Sequence, residues 1–168
     1  MGKRGLVKIP MRIFDIDSEE ILKPQDWSFP IPISYGPGRL NEIAQFCQSL
    51  EINNPLIVTD NNSKQLPFIE NLKGLLNESN IESDLFFDIS PNPKDNEIAK
   101  GCLQFQSGNH DAIIAIGGGS AMDGGKAICL TANNDLELWD FEWELPPPRI
   151  SEENSFPKII CIPTTAGT

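Results

Sequence analysis

Two short segments, Leu56-Ile57-Val58-Thr59 and Ala112-Ile113-Ile114-Ala115-Ile116, are apolar at nearly every position and show no alternation. A strand with one wet face alternates apolar and polar residues, whereas a strand apolar throughout is buried on both faces. Such strands belong in a parallel sheet, whose neighbours are joined by crossovers of a dozen or more residues. The chain supplies those crossovers. Leu40, Ile43, Ala44, Cys47 and Leu50 recur at helical intervals before the first segment. Phe68, Leu72, Leu75 and Leu76 do so after it, and Ile98, Cys102 and Phe105 precede the second segment. Asp84–Phe87 and Lys158–Ile162 read as further strands and Ile31–Tyr35 as a short early one, while residues 1–30 otherwise read as irregular. The order predicts an α/β fold: a parallel sheet with helices on both faces.

The second apolar segment runs into Gly117-Gly118-Gly119-Ser120-Ala121-Met122-Asp123-Gly124-Gly125-Lys126-Ala127 and then Ile128-Cys129-Leu130. Strand, glycine turn and helix start in that order make a phosphate site. Glycines allow close backbone approach, and a helix N-terminus offers unpaired N–H groups and partial positive charge. In a parallel sheet, ligands bind beyond the carboxyl ends of the strands. Asp60, Asn92, Gly117–Ser120 and Thr164-Thr165 are all expected at such ends, so four segments converge on one crevice. Residues 133–157 break the alternation with an acidic stretch carrying Trp139, Phe141, Trp143 and Pro146-Pro147-Pro148, which reads as a surface loop pinned by its aromatics, with a functional lid as the alternative.

Bulk properties narrow the partners. A chain of 168 residues holds one domain with a real core, burying roughly 70% of its extended surface. Thirteen Lys and Arg against 24 Asp and Glu leave a formal charge of −11, which argues against nucleic acid or an anionic membrane as partner. No apolar run approaches the roughly 20 residues of a membrane span. The basic start Met1-Gly2-Lys3-Arg4-Gly5 is not followed by the apolar core of a secretory signal, so a cytoplasmic protein is expected. Cys47, Cys102, Cys129 and Cys161 are too dispersed for a CxxC zinc or redox pair. Cys102 and Cys129 fall in helical apolar patterns and read as reduced, buried packing residues. His110, the one histidine, precedes a strand and reads as structural.

Two common phosphate templates fail on this turn. A GxxxxGK[ST] loop ending at Gly125-Lys126 has Ser120 where its first glycine belongs and Ala127 where a magnesium-binding hydroxyl belongs. The GxGxxG dinucleotide fingerprint places Met122 at its third glycine. What does fit is the wider pattern. GGGSxxDxxKA after an apolar strand, with a later apolar strand ending in Pro163-Thr164-Thr165-Ala166-Gly167-Thr168, resembles the iron-containing alcohol dehydrogenase family. The likeness extends over residues 27–168, through Trp27-Ser28-Phe29-Pro30, Tyr35-Gly36-Pro37-Gly38-Arg39, Ile57-Val58-Thr59-Asp60, Pro91-Asn92-Pro93, His110-Asp111 and Leu138-Trp139-Asp140-Phe141-Glu142. Lys94 and Gly124 depart from the more usual threonine and alanine, and Gly124 is expected to cost its helix up to about 1 kcal/mol.

The resemblance implies a Rossmann-like, dehydroquinate synthase-like N-terminal domain over 27–168, truncated, behind an irregular extension over 1–26. It also implies NAD or NADP as cofactor. Gly117 belongs to the turn, and Gly118, Gly119 and Ser120 would hold the pyrophosphate through backbone N–H groups, with the Ser120 hydroxyl as a further donor. Asp60 would face the adenosine ribose hydroxyls and favour NAD, because a 2′-phosphate meets like charge there. Asn92, Thr164 and Thr165 would also contact the cofactor. Lys126 would offset phosphate charge, and Asp123 would lie near ribose or nicotinamide. An ordinary turn aspartate at Asp60, plain turn chemistry at Asn92 and a surface ion pair between Asp123 and Lys126 are the alternatives.

Family members carry a second, helical domain in which one aspartate and three histidines bind a divalent metal, usually iron. One histidine cannot supply three, so the chain is expected to hold neither metal ligands nor a catalytic residue of its own. The expected function is the cofactor half of a dehydrogenase acting on a small alcohol or aldehyde, inactive alone and admitting a homo-oligomer when full length. A dehydroquinate synthase-like lyase and a non-catalytic nucleotide-binding module are the alternatives.

Overall fold

The computed structural model describes residues 23–28, 31–149 and 156–165. Contacts divide the chain into two compact units, one ending at Arg39 and the other beginning at Leu40. In the first, β1 (Gln25–Ser28) pairs antiparallel with β2 (Pro32–Tyr35), Asp26 opposite Ser34. Ser34 Oγ donates to Asp26 Oδ1 at 2.8 Å, and Arg39 Nη2 reaches the same oxygen at 2.9 Å. The Arg39 hydrogen bond, helped by that from Ser34, holds the Asp26 carboxyl below the usual carboxylate range. β1 corrects the reading of this stretch as irregular. Four residues are too few to show a period, and Pro24 bounds the strand rather than interrupting it. Residues 1–22, most of the expected 1–26 extension, lie outside the described residues, as do Phe29 and Pro30.

The second unit runs α1 (Ile43–Ser49), β3 (Pro55–Asp60), α2 (Pro67–Glu78), β4 (Asp84–Ile89), α3 (Asp95–Ser107), β5 (Ala112–Gly117), α4 (Gly119–Thr131) and β6 (Lys158–Pro163). The four strands form one parallel sheet in the order β4-β3-β5-β6. The two apolar segments lie side by side at its centre and split their residues between two cores. Leu56, Val58, Ile113 and Ala115 pack with Ile98, Phe105, Met122 and Ile128 of α3 and α4. Ile57, Ala112, Ile114 and Ile116 pack with Ile43, Cys47, Ile69 and Leu72 of α1 and α2. Both faces are covered, which is why neither segment alternates.

Three helices stop the same way. Glu51, Asn80 and Asn109 take positive φ of 53°, 57° and 49°. The N–H groups of Ile52, Ile81 and His110 then donate back to Cys47, Leu76 and Phe105. This is the Schellman closure, which satisfies helix-end carbonyls and turns the chain toward the next strand. His110, only 6% exposed, is set in place by this turn, with Nδ1 3.1 Å from both Asn54 O and Asn54 Oδ1. Asp111 beside it accepts from the N–H groups of Asn53 and Asn54 at 2.7 and 3.0 Å. This dipeptide thus ties the starts of β3 and β5 together, at the edge of the sheet opposite the glycine turn.

Cys129 is buried as expected, but Cys102 is only half-buried, its Sγ 3.1 Å from Thr131 Oγ1. Of the loop after α4, the 3-10 turn Leu138–Phe141 packs through Leu138. The tryptophans do not pin it: Trp143 is 95% exposed and Trp139 59%, the latter donating weakly to Asp95 Oδ2 at 3.4 Å. Residues 150–155 of that loop lie outside the described residues. Among the described residues no helix is long and apolar enough to cross a membrane.

Candidate nucleotide site

The chain steps from β3 to β4 on one side and then returns to β5 on the other. The carboxyl ends of β3 and β5 therefore lie at a topological switch point, where open α/β sheets take their ligands. Asp60 closes β3 and Gly117 closes β5, so the strand order brings them together. A methyl placed on Gly117 would lie 3.3 Å from Asp60 Oδ2, 3.4 Å from Thr59 Oγ1 and 2.8 Å from Ala121 Cβ. Gly117 also has φ +143°, a conformation closed to ordinary L residues. Its glycine is required twice over, by the backbone and by the approach of β3 to α4.

Gly118 is the N-cap of α4 and no side chain caps that end. Helix geometry leaves the first N–H groups of α4 without intrahelical acceptors. Gly119 is exposed, with nothing within 4 Å of where its Cβ would stand. α4 is seated tightly on the sheet, for a methyl on Gly125 would come 2.5 Å from Ala115 Cβ. Its positive end is thereby fixed above the end of β5.

The flanks close from both sides. Thr164 N–H donates to Gly117 O at 2.9 Å, and Thr165 Cγ2 stands 3.9 Å from the Cβ position of Gly118. Ala166, Gly167 and Thr168 lie outside the described residues. On the other side, Ser120 Oγ donates to Pro91 O at 2.8 Å and so joins the Asn92 turn to the glycine turn. That proton is therefore committed within the protein, and the backbone N–H is the donor Ser120 has left for a phosphate. Asn92 is exposed beside this joint, its carbonyl 3.0 Å from Ser90 Oγ. Asp123 and Lys126 are exposed on α4. Among the described residues no ion pair joins them. Burial pushes the Cys161 thiol up, and the Lys126 charge partly offsets it.

Asp60 is also a turn former. Its Oδ1 accepts from Asn62 N at 3.0 Å and Ser63 N at 3.1 Å, and its Oδ2 accepts from Ser63 Oγ at 2.7 Å. Two supporting residues had no motif to mark them. Glu97 Oε2 accepts from Ser90 N, Ser90 Oγ and Lys94 N at 3.2, 3.0 and 3.1 Å, fixing the Asn92 turn. Burial pushes the Glu97 carboxyl up, but these hydrogen bonds outweigh it and hold the group below the usual carboxylate range. Thr59 Oγ1 is buried at the switch point and has no hydrogen-bond partner among the described residues. A buried hydroxyl without a protein partner is uncommon.

These features suit a dinucleotide: an open helix N-terminus for a pyrophosphate, and a carboxylate one strand away for a ribose. The described residues do not suit a metal, since no three His, Cys, Asp or Glu side chains gather among them.

Comparison with known proteins agrees in family. A family model described as iron-containing alcohol dehydrogenase matches residues 30–168. A choline dehydrogenase of Bacillus subtilis is 32% identical over 154 residues, covering 89% of this chain and 37% of the relative. A crystal structure of 1,3-propanediol oxidoreductase superposes with a TM-score of 0.71 at 31% identity, over 79% of this chain and 34% of that one. Sulfoacetaldehyde reductase from Bifidobacterium kashiwanohense, solved in complex with NAD+, gives 0.65 at 28% identity, over 79% and 34%. The chain thus spans about a third of the length of these relatives.

Proposed function

Because the chain belongs to the iron-containing alcohol dehydrogenase family, we propose that the carboxyl edge of its sheet is the nicotinamide-dinucleotide seat of an alcohol–aldehyde oxidoreductase. The observation that carries this reading is the uncapped N-terminus of α4, open at Gly119 and flanked by Asp60 and Thr165. The N–H groups of Gly118, Gly119 and Ser120 bind the pyrophosphate, assisted by the partial charge of the helix end. Asp60 orients the adenosine ribose and disfavours a 2′-phosphate by like charge. Thr164, Thr165 and Asn92 wall the crevice, Lys126 offsets phosphate charge, and Asp123 faces ribose or nicotinamide. The bound nicotinamide would supply hydride transfer to or from a small alcohol or aldehyde. A divalent metal, as the family description implies, finds no ligand set among the described residues, so no step is derived through one. The chain matches about a third of the length of its relatives, and the seat proposed here lies wholly within its sheet unit.

Titration calorimetry of the folded chain with NAD and NADP tests this. Saturable NAD binding, tighter than NADP, is expected. A folded sample that binds neither refutes the reading.

A further inference from the structure

A carboxylate offers about four acceptor positions. Asp60 fills three of them from its own turn: Asn62 N and Ser63 N on Oδ1, and Ser63 Oγ on Oδ2. The position left is on Oδ2, the oxygen that stands against Gly117. We propose that Ser63 is a positioning residue for cofactor choice, its hydroxyl locking Asp60 Oδ2 toward the glycine turn so that a single aimed acceptor meets the adenosine ribose. This rests on the nicotinamide-binding reading above.

The two backbone bonds both end on Oδ1. Without the Ser63 hydroxyl they anchor one oxygen and leave the other to swing about the Cβ–Cγ bond, whose torsion is broad. The negative charge stays in either case, so repulsion of a 2′-phosphate is retained. What is lost is the aimed hydrogen bond to a ribose hydroxyl. The neighbouring cation does not take over the task, since Lys64 Nζ sits 4.2 Å above the Phe87 ring. Ser63 therefore acts on NAD binding selectively, whereas a residue that merely held the turn would affect NAD and NADP alike.

Calorimetric titration of the chain with NAD and NADP, wild type against Ser63→Ala and Ser63→Thr, reads this directly, with urea melts confirming that each variant is folded. Ser63→Ala is expected to weaken NAD about ten-fold or more, the effect of one hydrogen bond to a charged group, with NADP unchanged. The ratio of the NADP Kd to the NAD Kd then falls by the same factor, and Ser63→Thr restores it. A ratio unchanged or raised in Ser63→Ala, or equal weakening of both cofactors, overturns the inference while leaving the nicotinamide reading intact. A folded wild-type chain that binds neither cofactor overturns that reading, and this inference with it.

Discussion

Gly117 and Gly119 sit two residues apart in one turn, yet the same substitution should do opposite things at the two. At Gly117 an added methyl meets Ala121 Cβ at 2.8 Å, well inside the 3.5–4.0 Å contact distance between carbons. Overpacking of that kind costs about 1–3 kcal/mol, and forcing an alanine into φ +143° adds about 1–3 kcal/mol. Gly117→Ala is therefore destabilised by about 2–6 kcal/mol, a large part of the 5–15 kcal/mol that holds an ordinary domain together. Gly119 has an open Cβ direction and helical backbone, so Gly119→Ala should leave stability within about 0.5 kcal/mol. It should nonetheless weaken NAD, because the methyl occupies the space a pyrophosphate needs. Urea midpoints at constant m report the stabilities, and calorimetry reports NAD binding. Gly117→Ala as stable as wild type, or Gly119→Ala as damaging to the fold as Gly117→Ala, would refute the assignment of one glycine to the fold and the other to the ligand.

Other predictions follow from single contacts. A methyl on Gly124 would stand 2.7 Å from Ile89 Cδ1, so the roughly 1 kcal/mol that alanine gains in helix propensity is outweighed. Gly124→Ala should lose about 1 kcal/mol, and Ile89→Val in the same chain should recover part of it; strict additivity of the two in a double-mutant cycle would count against the contact. His110→Phe strands the Asn54 amide oxygen that faces the imidazole and should cost about 1–3 kcal/mol of stability, with NAD affinity unmoved; a matching loss of NAD binding would place His110 in the site instead. Burial pushes the Cys47 and Cys129 thiols from 9.0 up to about 11. The unfolded chain ionises first, so their contribution is full below pH 9.0 and is lost as pH rises through about 11. Urea midpoints should fall across that window, and a Cys47→Ala/Cys129→Ala chain that falls as steeply as wild type would contradict it.

The parallel sheet was legible because burial on both faces erases alternation, and Leu56–Thr59 and Ala112–Ile116 carry that mark plainly. The crevice followed, since parallel strands put Asp60, Asn92, Gly117 and Thr164 on one edge. Features made by polar contacts across space left no such pattern. Asp26 of β1 meets Ser34 and Arg39, and the Ser120 hydroxyl turns to Pro91, a residue 29 positions away. Gly124 looked like a propensity defect, and only the approach of Ile89 shows what it accommodates. The tryptophans of the loop after α4 looked like anchors because aromatic residues usually bury, but Leu138 takes that place.

The seat proposed for the dinucleotide is the carboxyl edge of the sheet, on the N-terminus of α4. Titrating NAD into 15N-labelled chain and following backbone amide shifts tests it residue by residue. Saturable shifts are expected at Asp60, Asn92, Gly118, Gly119, Ser120 and Thr165, with the Asn53, Asn54 and Asp111 amides at the opposite edge unmoved. Shifts concentrated at that opposite edge, or none at the glycine turn while NAD binds, would contradict it.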